Sequence, residues 1–263
     1  MHNAFSGRRS MALVLITALA MLIPALVFAG HPAAGTDDSA KKMLQKSSKA
    51  LGEDKPWKTR VEKGLETVWD RTGWGELRAD YTRWIVKPDK LKIDRDNSAY
   101  DHPFFRTYYY SGGDAWYVVN LVPGRSPQLA ANLKQLLERV DGIAYYVASC
   151  DTFFATPSVP DDSLLAGAPL ERVGCVLDGD TTLFDLNRKT HLPARRIENK
   201  GKRAYIFDDY RNTDGRLVPF HVTVYDDGQK SNDFLWSEVL FDQKIDDSIF
   251  EENRPPQPPE APK

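Results

Sequence analysis

From Val173 to Phe241 the chain alternates short aromatic and β-branched runs with small polar turns. The runs "VGCVLDGDTTLFDL", "HLPARRIENKGKRAYIFDDY", "RLVPFHVTVY" and "DFLWSEVLF" contain or adjoin Asp178-Gly179, Asn199-Lys200-Gly201, Asp214-Gly215 and Asp227-Gly228. Such regular punctuation predicts consecutive antiparallel hairpins in one sheet. Val61 to Tyr117 reads the same way. A strand run ends at Val86 and turns at Lys87-Pro88-Asp89. "KLKIDRD" alternates Leu91 and Ile93 with charges, and "FFRTYYYSGGDAWYVV" is two strands around Ser111-Gly112-Gly113-Asp114.

Helical spacing occurs in two places. Thr36 to Leu51 has Asp37, Asp38 or Ser39 as a cap and Gly52 as a stop; its thin apolar face (Met43, Leu44, Ala50, Leu51) predicts a peripheral helix. Ser126 to Val140 has Ser126 as N-cap, Pro127 in its first turn, and a stripe of Leu129, Leu133, Leu136, Leu137 and Val140. Asp141-Gly142 ends it. Ile143 to Ala155 fits helix or strand, and Thr156 to Pro169 reads as a loop. After Phe250, "EENRPPQPPEAPK" predicts a disordered Pro-rich tail, taken as residues 252–263.

The strands do not alternate as a sheet with one wet face should. Val218, Phe220, Val222 and Val224 share one face; Leu217, Pro219, His221, Thr223 and Tyr225 share the other, which is half apolar. Phe234, Trp236 and Leu240 oppose Leu235, Val239 and Phe241 in the same manner. Two apolar-leaning faces need two coverings. A curled sheet with a helix across its concave face supplies them and leaves room for an apolar ligand. The alternative is ordinary core on both faces.

Charge excludes one class. The 263 residues carry 35 basic and 37 acidic side chains, a formal net charge of −2, which gives no electrostatic case for nucleic acid. The first residues have Arg8 and Arg9, an uncharged apolar run from Met11 to Phe28, and Val27-Phe28-Ala29. That pattern predicts a signal peptide over residues 1–29, with an uncleaved membrane anchor as the alternative. In an oxidising compartment Cys150 and Cys175 are expected to form a disulfide; two buried thiols are the alternative.

Catalytic and cofactor motifs are absent from the sequence: no phosphate loop, dinucleotide fingerprint, G-x-S-x-G, H-E-x-x-H or paired-cysteine metal motif occurs. His31, His102, His191 and His221 have no metal-ligand spacing, and His221 reads as a hydrogen-bonded sheet histidine. "DGDTTLFD" lacks the spacing of a calcium loop, and Asp208, Asp209 and Asp214 read as strand ends and turn. The expectation is a non-enzymatic protein without cofactor or metal.

Several short segments, in order, resemble a known family. "RWIVKP" (Arg83 to Pro88) is similar to a strand-end signature of the LolA-like lipoprotein carriers and the wider outer membrane lipoprotein-sorting group. "SGGDAWYVV", "LFDLNRKTHLPARRI", "DDYRNTDGRLVPFHVTV" and "QKIDDSIFEE" resemble later segments of the same group. The resemblance implies a mainly β (α+β) fold: a single strongly curved antiparallel sheet, forming a half-open barrel closed by short helices. It spans residues 59–251, after an N-terminal helix and linker at 30–58. It further implies a periplasmic protein, monomeric, holding a lipid or a lipid-modified protein by its acyl chains. Trp84, Trp116, Tyr117, Leu133, Leu137, Phe220, Val222 and Trp236 are the expected cavity residues. Lys87 stands where the carriers have a lid-binding Arg. Two other readings stay open: an interaction or sensor module for an envelope partner protein, and a carboxylate-dependent hydrolase.

Overall fold

The computed structural model describes residues 37–70, 75–100, 105–156, 165 and 169–256. The expected signal peptide (1–29) and most of the 156–169 loop lie outside the described residues.

Thirteen strands form one antiparallel sheet. They are β1 (Thr59–Asp70), β2 (Gly75–Val86), β3 (Lys90–Asp96), β4 (Phe105–Ser111), β5 (Asp114–Val119), β6 (Val122–Gly124), β7 (Thr152–Thr156), β8 (Leu170–Leu177), β9 (Asp180–Asn187), β10 (Pro193–Glu198), β11 (Arg203–Thr213), β12 (Arg216–Asp226) and β13 (Gln229–Phe241). Sequence neighbours pair everywhere except at β6 and β7, which are the two edges; β1 pairs with β13 at the centre, and the sheet does not close into a barrel. The turns are those the Asp-Gly pairs demand. Asp178/Gly179, Asp214/Gly215 and Asp227/Gly228 all have φ between 51° and 80°, the left-handed pair that lets a two-residue turn match the strand twist.

Bulges bend the centre. Lys63 faces Glu238 and Gly64 faces Trp236, which leaves Ser237 as an extra residue in β13. A second shift falls between Val224 and Tyr225 of β12, opposite Ser231. At the first bulge the strands approach so closely that a Cβ on Gly64 would lie 2.2 Å from the Leu235 carbonyl oxygen and 2.8 Å from the Trp236 Cα. Pro219 lies outside the rungs that β12 shares with β13, which begin at His221, as a residue without an N–H requires.

Three helices cover the concave face. The side chain of Asp37 caps α1 (Asp38–Leu51) by accepting from the amides of Ser39 and Ala40, and Gly52 ends it at φ 72°. This helix is not peripheral. Ala40, Leu44 and Leu51 are buried against Ile143, Tyr146, Phe153, Val173, Phe184 and Leu186. The sequence understated it because one narrow stripe was enough to meet two other elements. α2 (Pro127–Glu138) buries Leu133 and Leu137 on Tyr81, Ile85, Leu91, Ile93, Tyr110 and Ala115. The ambiguous stretch after it resolves into α3 (Ile143–Ser149) followed by β7. A disulfide between Cys150 and Cys175 ties the end of α3 to β8.

Glu53, just past α1, links two helices. Its carboxylate accepts from the amides of Ile143 (3.2 Å) and Ala144 (2.8 Å) at the start of α3. Burial pushes its pKa up to about 7, Asp141 adds to the rise, and the amide and Ser48 hydrogen bonds oppose it.

The outer face is also covered. Phe250 is fully buried, the Trp116 indole donates to the Glu252 carbonyl, and Arg254 pairs with Asp114. Arg125 donates to the Pro255 carbonyl. The packed chain therefore runs past residue 251, through a segment whose composition reads as tail. Ion pairs and carbonyl acceptors hold it, which apolar patterning does not register.

Three outcomes test these contacts by chemical denaturation. Replacing both cysteines with Ser should cost about 3.5 kcal/mol for a 25-residue separation on the loop-entropy relation; an unchanged midpoint would show that the cross-link contributes nothing. Gly64→Ala should cost about 1–3 kcal/mol through overpacking against backbone, and a neutral result would contradict the close approach. For Glu53 the folded-state pKa lies above its ordinary 4.5. Its contribution is thus full below about 4.5 and lost as pH rises through about 7. Glu53→Gln should flatten the fall in stability across that window, and parallel pH profiles for the two proteins would refute it.

Candidate functional site

The inward positions follow from register. Arg60, Glu62 and Gly64 of β1 face Ile85, Arg83 and Tyr81 of β2, which face Leu91, Ile93 and Arg95 of β3. On the other side, Phe207, Val222 and Phe234 form one row across β11, β12 and β13, and Tyr205, Val224 and Asn232 form the next. These rows bound a cavity of about 500 Å³, within the range of about 300–1,000 Å³ for small-molecule sites. Residues at or next to the helix ends add to its wall: Leu51, Glu53, Trp57, Leu136, Val140, Asp141 and Ile143.

The wall is apolar and aromatic over much of its extent, but it is not the purely apolar surface that the strand pattern suggested. Seven arginines line it: Arg60, Arg83, Arg95, Arg139, Arg196, Arg203 and Arg216. Most are matched by carboxylates. Glu62, fully buried, takes both Arg60 (2.5 Å) and Arg83 (Nε to Oε2, 2.6 Å). Glu66, also buried, pairs with Arg95. Glu198 accepts from the Tyr146 hydroxyl (2.6 Å) and pairs with Arg139 and Arg196. Asp226 takes Arg203 through two bonds of 2.6 and 3.0 Å.

Arg216 differs. It is 8 % exposed and has no carboxylate partner among the described residues. Its Nη2 donates to the carbonyls of Lys55 (3.3 Å) and Pro56 (2.9 Å). Its guanidinium lies 4.5 Å from the centre of the Phe241 ring, and that of Arg60 lies 5.3 Å from the same ring. Trp57 meets the ring edge-on at 5.8 Å. Burial lowers the pKa of Arg60 from its ordinary value, and Glu62 opposes that. Burial likewise raises Tyr81 to about 12, so its hydroxyl stays protonated.

The expected site residues separate into groups. Val222 and Trp236 line the cavity. Phe220 faces inward but is buried with Val218, Val239 and Phe241 beside it. Leu133 and Leu137 fill the contact between α2 and the sheet. Tyr117 shares the inward face of β4 and β5 but lies against Gly124 of β6, away from the cavity. Trp84 and Trp116 face the other way and are corrections. Arg83 and Ile85 are the inward residues of β2, so alternation turns Trp84 outward, where Lys92 stands 5.1 Å from its ring. Trp116 stacks on Tyr109 at 5.0 Å beneath the C-terminal segment. Lys87 pairs with Asp141, in the 3-10 turn Arg139–Asp141 after α2, and lies 3.8 Å from the centre of the Trp57 ring. His221 and Thr223 both bond Asp233, on the face opposite Val222.

Sequence reasoning missed the arginines. Alternating polar positions in a strand normally mean solvent. The available signal was opposite charge at matching register, Glu62 across from Arg83, which needs the pairing to be known. Among the described residues no cluster of His, Cys, Asp or Glu has the makings of a metal site, and no helix is long and apolar enough to cross a membrane.

No family model matches the chain, and no curated protein matches its sequence. Solved structures do match it. A DUF1329 family protein from Desulfovibrio piger is 13% identical over 81% of this chain and 97% of its own, with a TM-score of 0.54. A LolA superfamily protein from Nitrosomonas europaea is 14% identical over 80% and 96%, with a TM-score of 0.51. An outer membrane lipoprotein-sorting protein domain from Vibrio parahaemolyticus is 14% identical over 81% and 98%, with a TM-score of 0.49. Identities this low speak to architecture alone, and on that architecture the chain has a LolA-like fold.

Proposed function

We propose that this protein is a non-enzymatic binding protein of the bacterial envelope, exported by the segment at residues 1–29. It holds a lipid, or the acyl chains of a lipid-modified protein, between its curved sheet and its helices, and it serves lipid or lipoprotein sorting. The observation that carries this reading is the cavity itself: 500 Å³ of space left open beside Phe207, Val222, Val224, Phe234 and Trp236. An apolar wall left unfilled forfeits contacts that a close-packed core would make. An acyl chain restores them, at about 0.8 kcal/mol for each CH₂ removed from water.

The LolA-like architecture supports the reading. Lys87 gives the helical lid a tether, since its ammonium joins Asp141 after α2 to the sheet end of β2. The carboxylates that border the cavity already have structural occupations. Glu53 caps α3, Glu62 bridges two arginines, and Asp141 pairs with Lys87. That weighs against the hydrolase reading.

Protein purified from its own host without detergent should carry lipid at close to one molecule per chain, read by native mass spectrometry and by solvent extraction. Val222→Trp, which fills the cavity from β12, should release most of that lipid while the protein stays folded. A lipid-free wild-type protein would overturn the proposal.

A further inference from the structure

Arg216 is the cavity arginine that the protein leaves without a carboxylate. A buried guanidinium normally has one, because an unneutralised charge in a low-dielectric site is costly. Five of its cavity neighbours illustrate the rule, sharing Glu62, Glu66 and Glu198. At Glu62 and again at Glu198 one carboxylate serves two arginines. The cavity therefore holds more cationic than anionic groups, and the surplus is greatest where Arg60 and Arg216 both lie on Phe241. Nε of Arg216 is buried and has no hydrogen-bond partner among the described residues.

An apolar track starts at the same place. Val218, Val222 and Val224 of β12 all line the cavity, and the strand rise from Val218 to Val224 extends roughly 20 Å. One end of the track is cationic and aromatic; its length is apolar. Guanidinium is weakly hydrated and matches carboxylate and phosphate oxygens with a planar fork.

We infer that the ligand is an amphiphile with an anionic head, its carboxylate or phosphate held by Arg216 and Arg60 against Phe241 and its chain laid along β12. The inference rests on the lipid-holding reading and adds the charge of the headgroup to it. The head completes the pairing that the protein leaves open, and the chain fills the track.

Calorimetric titration of the full chain with four amphiphiles of one chain length, all below their micelle concentrations, tests it. The probes are dodecanoate, dodecyl phosphate, dodecanol and dodecyltrimethylammonium. At least one of the two anions should bind about tenfold or more tighter than dodecanol, the discrimination expected of charge-assisted hydrogen bonds, and the cation should bind weakest. The stronger anion identifies the head chemistry. Arg216→Gln should erase most of the anion preference and leave dodecanol affinity nearly unchanged, and Arg216→Lys should retain part of it. Should Arg216→Gln not fold, the headgroup series on the unmodified chain decides alone. Equal binding of dodecanol and both anions would overturn this inference and leave the lipid-holding reading standing. Binding of none of the four would overturn both.

Discussion

A fully buried carboxylate at the centre of the sheet governs this structure. Glu62 is on β1, the strand that joins the two halves of the chain through β13, and its side chain points into the concave face. Burial of an ionised group demands a partner. Arg60 two residues before it and Arg83 across the β1–β2 ladder provide two. Glu66 repeats the arrangement with Arg95. Such pairs are poor substitutes for apolar packing as a source of stability. Their presence on the inner face makes the β1–β3 wall of the cavity polar, while Phe207, Val222, Val224, Phe234 and Trp236 make the middle of the opposite wall apolar, with Arg203 and Arg216 toward its ends.

Curvature brings the two walls together. One layer of thirteen strands needs bends, and the extra residues at Ser237 and Ser231 place them in β13, next to the centre. Gly64 permits the closest approach there because it has no Cβ to collide with Leu235 and Trp236. The helices then close what the sheet leaves open. Each is fixed by a separate device: α1 by its apolar stripe, α3 by Glu53 and the disulfide, and the turn after α2 by Lys87.

The hairpins were legible in the sequence because Asp-Gly and Gly-Gly pairs dictate local backbone geometry regardless of what packs nearby. The helix from Ser126 was legible for the same reason, since its stripe is a local periodicity. Facing direction was not. Trp84 and Trp116 look like cavity residues only if the outer face is wet, and it is covered by Phe250 and the segment to Pro255. In β13 alternation alone sets Trp236 against Val239 and Phe241, but the extra Ser237 brings Phe234, Trp236, Val239 and Phe241 onto one inward face, and nothing in the sequence announces that bulge. The arginines were hidden because a charged residue at every second position has the same signature whether it meets water or a buried carboxylate on the next strand.

An acyl chain held as proposed lies against the inner faces of β11, β12 and β13. Photo-crosslinking reads this most directly: the protein is irradiated with a dodecanoate that bears a diazirine near its methyl end, and the labelled residues are located by peptide mass spectrometry. Label is expected on Phe207, Val222, Val224 or Phe234, displaced by excess unlabelled dodecanoate. Label confined to the outer face, around Tyr109 and Trp116, or label that excess dodecanoate does not displace, would contradict it.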